Sequence, residues 1–373
     1  MKSYAIFILA VIAFYIFSRY TMSMGFKDIE VIRSLDKVRI FPGEQFNVIT
    51  KIENKRRWPI AFLNIKEQYP EGFERMQSSP DFRNPNVTYY TSSYSILGHE
   101  RVKRYYNSTI DKRGVYYLKY LTLSLGDLFG IFNIEEEQED LLEVIVYPKV
   151  VDASQIEFEN KSIQGDSVVR RWIFSDPVYV RGLREYVRGD RMKDIHWNSS
   201  LRMNKLVVKE YEYTSERQVV FIANVQCAKP YWSAIDGEAI EKAVKIVASL
   251  SNFTIQQGIP TGVMTNANMI SSSGDFSNEL LPGINNFKEI LEFCARIDKL
   301  PKVDFSEFLR EKGNYFNSNS IYIILTPYMN DEIISEMIKL KRYGILMKVI
   351  DVSEKGSLPE LNHIEKIYYG GKG

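Results

Sequence analysis

The chain has 373 residues, 48 basic and 47 acidic side chains, and a formal net charge of +1. That length exceeds one ordinary hydrophobic core and predicts two soluble domains. The near-zero charge gives no electrostatic ground for nucleic-acid binding. The cysteines, Cys227 and Cys294, lie far apart, form no disulfide framework or CxxC site, and read as small buried apolar residues. Three scattered histidines, His99, His196 and His363, argue against a zinc site of His and Cys.

The first predicted element is KSYAIFILAVIAFYIFSRY, in which no residue between Lys2 and Arg19 is charged. A helix at about 1.5 Å per residue reaches roughly 24 Å there, slightly short of a ~30 Å hydrocarbon core. Lys2 and Arg19 can snorkel, and Tyr4 and Tyr20 suit the interface. FSRYTMSMG offers no clear small-x-small cleavage site, so residues 1–22 read as a single-pass transmembrane anchor, embedded through residues 3–20, rather than a signal peptide. Arg19, Lys27, Arg33, Lys37 and Arg39 follow the anchor, whereas Lys2 and the amino terminus precede it. The positive-inside bias then favours a cytoplasmic body.

Residues 26–150 alternate with period two. DIEVIRSL, EQFNVITKIEN, AFLNIKEQY, ERVKRYYNSTI, GVYYLKYLTLSL and LLEVIVYPKVV read as strands separated by turn residues such as Pro42-Gly43. Short strands without helical periodicity predict an antiparallel, immunoglobulin-like β-sandwich. The acidic run EEEQED, Glu135 to Asp140, reads as a solvated loop between strands.

Residues 151–217 connect this domain to the next. They contain LREYVRGDRMKDIHWNSSLRMNKLVVKEYEYTSER, with Arg188-Gly189-Asp190 inside it. This stretch resembles the signature of the domain-of-unknown-function family 58 over residues 184–217. The matching positions are Arg184, Glu185, Tyr186, Gly189, Asp190, Ile195, Trp197, Leu206, Val207, Val208, Lys209, Glu210, Glu216 and Arg217. KRGVYYL and GDLFGIF are similar to the family's upstream elements. His196 stands where the family usually has Asp, Asn198 where a basic residue is common, and Leu201 where a small one is usual. Gly189 permits a tight turn that Asp190 can cap by bonding the following backbone, so the Arg-Gly-Asp tripeptide falls on a family turn. Trp197 is expected to anchor the segment to a core. Arg184 and Glu185 can pair only if they escape the opposite faces a strand would give them.

From Gln218 to the end, residues 218–373, the rhythm becomes α/β. QVVFIANV, PTGVMTNA, NSIYIILTPY and ILMKVIDVS read as strands. DGEAIEKAVKIVASLSNFTIQQG, NNFKEILEFCARIDKL, DFSEFLREKG and NDEIISEMIKLKRYG read as helices. The alternation predicts a mainly parallel sheet covered on both faces. No phosphate-binding loop and no nucleophile with a histidine partner can be found at the strand ends. The resemblance implies a von Willebrand factor A-like fold here. Many such domains hold a divalent metal through hard oxygen ligands after the first strand. On this chain those positions read Asn224, Gln226 and Ala228, and the later acid's place reads Thr326-Pro327, so a degenerate site without metal is expected.

The expected function is a membrane-anchored, non-enzymatic interaction or assembly factor without a cofactor. The resemblance implies a MoxR-type AAA+ ATPase as protein partner; the signature residues Arg184 to Glu210 read either as a clasp joining the two domains or as a docking surface for a partner. The alternatives are a cell-envelope enzyme using Asp190, His196 and Glu185 as acid/base groups, which must then converge in one cleft, and an extracellular adhesion protein using the tripeptide.

Overall fold

The computed structural model describes residues 2–76, 78–127, 133–152, 156, 173, 180–187, 190, 192, 195–211, 218–272, 274, 276–361 and 364–369. The chain forms two compact units, Met1–Lys149 with Ile270–Ser272, and Val150–Met269 with Ser273–Gly373.

The first unit opens with α1 (Lys2–Ser23), a helix of 22 residues. Its Ile6–Ser23 window has a mean hydropathy of 1.7, long and apolar enough to cross a membrane, a test a signal sequence also passes. The helix runs past Arg19, so at about 1.5 Å per residue it spans about 33 Å rather than 24 Å. Its last turns are packed. Met22 is buried, Ser18 Oγ donates to Asp127 Oδ2 at 2.8 Å, and Phe17 meets Trp58 edge-on with ring centroids 5.1 Å apart. Of the GDLFGIF motif only Gly126 and Asp127 are described; Phe129, Gly130 and Phe132 lie outside the described residues.

Ten strands follow: β1 (Ile29–Leu35), β2 (Arg39–Ile40), β3 (Phe46–Asn54), β4 (Ile60–Pro70), β5 (Phe73–Arg75), β6 (Phe82–Arg83), β7 (Val87–Ile96), β8 (Arg101–Ile110), β9 (Gly114–Gly126) and β10 (Asn133–Val146). One sheet has the order β1-β3-β8-β5 and the other β2-β10-β9-β4-β7-β6. All neighbours are antiparallel except β2 and β10. In β3, residues 46, 48, 50, 52 and 54 are all buried and those between are partly exposed, the period of two that a pleated strand imposes. Val31 and Ile52 of one sheet pack with Leu63, Ile65, Leu121 and Leu123 of the other, and Phe46, Val48 and Phe73 with Tyr69, Leu118 and Val144. The two sheets therefore share their cores as a β-sandwich.

The acidic run Glu135–Asp140 is not a loop. It lies within β10 and pairs with β9 from Glu135↔Ser124 to Glu139↔Tyr120. Strand geometry puts alternate carboxylates on a solvated face while the backbone stays paired. Asp140 also has a partner that no local pattern shows, because Arg33 Nε donates to its Oδ2 at 2.8 Å. Arg33 belongs to a buried charge cluster: its Nη1 stands 3.8 Å from Glu67 Oε1, and Arg75 Nη1 donates to Glu67 Oε2 at 3.0 Å. The Arg75 guanidinium lies 3.2 Å from the centroid of the Tyr106 ring.

The second unit begins with β11 (Val180–Glu185), α2 (Trp197–Met203) and β12 (Val207–Tyr211). Then come β13 (Gln218–Ala223), α3 (Gly237–Gln256), β14 (Thr261–Thr265), β15 (Ala267–Met269), β16 (Glu279–Gly283), α4 (Phe287–Arg296), β17 (Ile297–Pro301), α5 (Phe305–Gly313), β18 (Ser320–Thr326), α6 (Asp331–Arg342), β19 (Leu346–Asp351) and β20 (Glu365–Tyr368). The main sheet has the order β16-β14-β13-β18-β19-β20, parallel throughout except for β16 against β14. Every residue of β18 is buried, as a strand covered on both faces requires. Asp236 caps α3 by accepting from Ala239 N at 3.0 Å, and Asn330 caps α6 by accepting from Ile333 N at 2.9 Å. Gly258, after α3, and Gly344, after α6, have positive φ, the left-handed backbone that ends a helix and suits glycine. The edge strand β16, the two-stranded ladder of β15 and β17, and β20 are additions to the four strands the sequence pattern shows.

Candidate functional site

The signature segment folds as a hairpin enclosing a short helix. β11 and β12 pair antiparallel with Arg184 opposite Val208 and Glu185 opposite Val207, and Ile195 bridges to Val208. Ile195, Val207 and Val208 are buried. Ser200, also buried, closes the structure. Its Oγ accepts from Val207 N at 2.9 Å and lies 3.1 Å from His196 O, to which it donates. Tyr186 N donates to Leu206 O at 3.0 Å. Lys209 and Glu210 pair through their backbones with Leu183 and Gly182.

The polar signature residues are each engaged separately. Arg184 meets only the backbone of Glu185, its Nη1 donating to Glu185 O at 3.1 Å, and not the carboxylate. It holds Asp190 with two bonds of 2.7 Å, and Glu185 pairs with Lys205 instead. The reason is strand geometry: neighbours on β11 face opposite sides, so each finds a partner beyond the strand. Asp190 accepts from Val187 N at 2.8 Å, and Asp190 N donates to Val187 O at 3.0 Å. The carboxylate therefore closes the turn on the preceding backbone, not the following one. Gly189 and Arg188 lie outside the described residues, as do Glu216 and Arg217. His196 is the N-cap of α2, its Nδ1 accepting from Ser199 N at 3.1 Å. An Asp would also cap at this position, so the change to His keeps the cap and removes a charge.

The Arg184 guanidinium and the Val187 N–H together hold the Asp190 carboxyl at about 2, below its ordinary 3.8. A depressed value means the turn's electrostatic contribution is present above about pH 4 and is lost as pH falls toward 2. The Val187 amide shift is expected to titrate near pH 2 in the wild type. In Asp190→Asn that titration should vanish; its persistence would assign it to another group.

Trp197 is not a core anchor. It is 55% exposed, and Leu201, one turn later on the same face of α2, is 80% exposed. The physical reason is that α2 turns only Ser200 inward, and Ser200 spends its hydroxyl on the hairpin. Val187, Met192, Met203 and Leu206 of the same stretch are also exposed.

A second cluster sits at the strand ends of the main sheet. Asn224 Nδ2 donates to Thr326 Oγ1 at 2.8 Å, and Asn224 Oδ1 accepts from Gln226 N at 2.9 Å. Gln226 Nε2 donates to Ala228 O at 2.9 Å and to Asp304 Oδ2 at 3.1 Å, and its Oε1 accepts from Phe305 N at 2.7 Å. Asp304, the N-cap of α5, is the acid that sequence reading missed, since it lies 78 residues from Gln226. Burial pushes its carboxyl up, but bonds from Ser306 and Gln226 outweigh that and hold it below the usual range. These residues do not fit a divalent metal. The Gln226 amide is taken up by Asp304 and the backbone of Ala228 and Phe305, the Asn224 oxygen by Gln226 N, and Asn224 turns a donor N–H toward the hydroxyl that would have to be a ligand. Among the described residues no group of three or more His, Cys, Asp or Glu is arranged to hold a metal.

The chain is 21% identical over 295 residues to the uncharacterized protein YeaD of Bacillus subtilis (strain 168), a match covering 76% of this chain and 67% of that protein. Solved structures similar to part of the chain include the CARDB domain of the PF1109 protein from Pyrococcus furiosus, at 13% identity, 32% of this chain, 92% of that one and a TM-score of 0.22. A non-cellulosomal cohesin from Archaeoglobus fulgidus matches at 16% identity, 32% and 86% coverage, and a TM-score of 0.20. Scores this low carry no functional inference. Residues 182–273 match the model of the protein family of unknown function DUF58, a match that spans most of the hairpin, α2 and the first strands of the main sheet.

Proposed function

We propose that this chain is a membrane-anchored, non-enzymatic interaction or assembly factor that works with a MoxR-type AAA+ ATPase, which would supply the nucleotide hydrolysis. In this reading α1 is the anchor and the body is cytoplasmic. The strand order of the second unit, with its antiparallel edge strand, supports a von Willebrand factor A-like fold in which Asn224 and Gln226 stand at the metal-site positions after the first strand. The observation that carries the reading is the outward face of α2. Trp197 is half-exposed and Leu201 largely exposed, and tryptophan is among the side chains most enriched at binding hot spots. Acid/base chemistry gains no support from the same residues: Asp190, Glu185 and His196 are committed to Arg184, Lys205 and the α2 cap.

The test is affinity. The full chain in detergent is titrated with the MoxR-type ATPase of the same organism. Trp197→Ala and Leu201→Ala are each expected to weaken binding about tenfold or more, about 1.4 kcal/mol. The melting temperature should move little for Leu201→Ala, where the side chain is 80% exposed, and only modestly for the half-exposed Trp197. Unchanged affinity in both variants would remove α2 from the interface, and no binding by the wild type would remove this partner.

A further inference from the structure

The C-terminal end of α1 meets the sandwich at a corner built from the turns after β3 and β7. Asn54 is fully buried; its Nδ2 donates to Trp58 O and to Leu97 O, each at 2.9 Å, and its Oδ1 accepts from Arg56 N at 3.1 Å. His99 N donates to Arg56 O at 2.9 Å. Gly98 lies so close to the opposite turn that a Cβ there would come 2.1 Å from Arg57 O. Arg56 then ties this corner to the chain leaving the helix, donating to Lys27 O at 2.7 Å and to Met24 O at 3.2 Å, as well as to Gly25 O. The two turns and the helix end are thus locked together through buried polar groups.

This locked corner presents large apolar side chains outward. Trp58 is 41% exposed, Leu97 67%, and Phe62, at the start of β4, 49%. The exposed basic residues Lys55 and Arg57 stand in the turn after β3, and Lys27 in the chain leaving the helix. Lys55 is paired with Glu30 at 2.7 Å, and Glu100, in the turn after β7, is turned back onto Leu97 N at 2.6 Å, which leaves Lys27 and Arg57 as the cations facing outward. Three large apolar side chains exposed together at one corner form the kind of patch that marks a contact with a partner or a membrane. Aromatic and aliphatic side chains rimmed by Lys and Arg are the composition found at a bilayer interface. The apolar helix leaves the sandwich at the same place, with Phe17 against Trp58.

We infer that this corner is a second membrane contact. Trp58, Phe62 and Leu97 enter the boundary between headgroups and acyl chains, while Lys27 and Arg57 meet anionic headgroups. The occupant is the lipid surface into which α1 itself inserts. The inference rests on the reading of α1 as a membrane span. It adds that the sandwich lies on the membrane and does not swing freely from its helix.

The experiment uses the full chain reconstituted into vesicles of equal parts phosphatidylcholine and phosphatidylglycerol, with and without brominated acyl chains. Flotation reports α1, and quenching of tryptophan fluorescence reports the corner. Wild type is expected to float and to be quenched more than Trp58→Phe, which keeps the ring against Phe17. Adding Leu97→Trp to Trp58→Phe should restore the lost quenching. A floating protein with equal quenching in wild type and Trp58→Phe, and none regained at position 97, overturns the inference while α1 keeps its role. A wild type that does not float overturns the membrane span, and the inference with it.

Discussion

Glu67→Ala is expected to destabilise the sandwich by about 3–5 kcal/mol, the cost of breaking a buried ion pair by removing one partner. Glu67 lies between Arg33 and Arg75, and all three side chains are almost fully shielded. Removing the carboxylate leaves Arg75 with no carboxylate partner among the described residues, whereas Arg33 keeps Asp140. The loss should therefore be recovered in part by Glu67→Ala combined with Arg75→Met, and chemical denaturation of the pair against the single variant measures the coupling. A loss under about 1 kcal/mol in Glu67→Ala would show that the guanidinium groups find water instead.

The same residue sets a pH dependence. Burial pushes the Glu67 carboxyl up, and the attraction of Arg75 and Arg33 does not fully offset it. A raised folded value gives a contribution that is complete below the unfolded value of 4.5 and is lost as pH rises through the folded one. Across that window the wild type should lose stability relative to Glu67→Gln, which has no proton to release. Parallel stability curves for the two proteins would show that the carboxyl titrates normally.

Gln226→Ala is expected to cost the second unit roughly 2–4 kcal/mol, from a buried N–H left without an acceptor and the cavity left behind. Gln226 is fully buried, and its amide joins the end of β13 to the start of α5 through Phe305 N, Asp304 and Ala228 O. Phe305 and Phe308 stack with centroids 5.8 Å apart in the core under that helix, so a loosened α5 start reaches the packing. Thermal denaturation gives the magnitude. Hydrogen exchange at Phe305 locates it, since that amide should lose its protection first. Gln226→Glu tests the donor side alone: it keeps an oxygen for Phe305 N but sets a carboxylate against Asp304, and a comparable loss is expected. If both variants melt like the wild type, the amide bridge contributes nothing to holding α5 on the sheet.

Elements with their own repeat were legible in the sequence. The uncharged run between Lys2 and Arg19 is a helix, the period-two stretches are strands, and the alternation after Gln218 is a sheet with interleaved helices. That Asp190 caps a turn was legible too, because backbone demands select residue types locally, but the side of the turn it bonds was not. What the tertiary structure decided is which side chain meets which. Arg33 finds Asp140 across 107 residues, Gln226 finds Asp304 across 78, and Ser18 finds Asp127 across 109. The acidic run became strand because β9 was there to pair with it, and Trp197 faced outward because Ser200 took the one inward position of α2. A periodic pattern reports which face of an element is apolar. The partner on that face depends on how distant strands and helices are brought together, and no stretch of sequence contains that arrangement by itself.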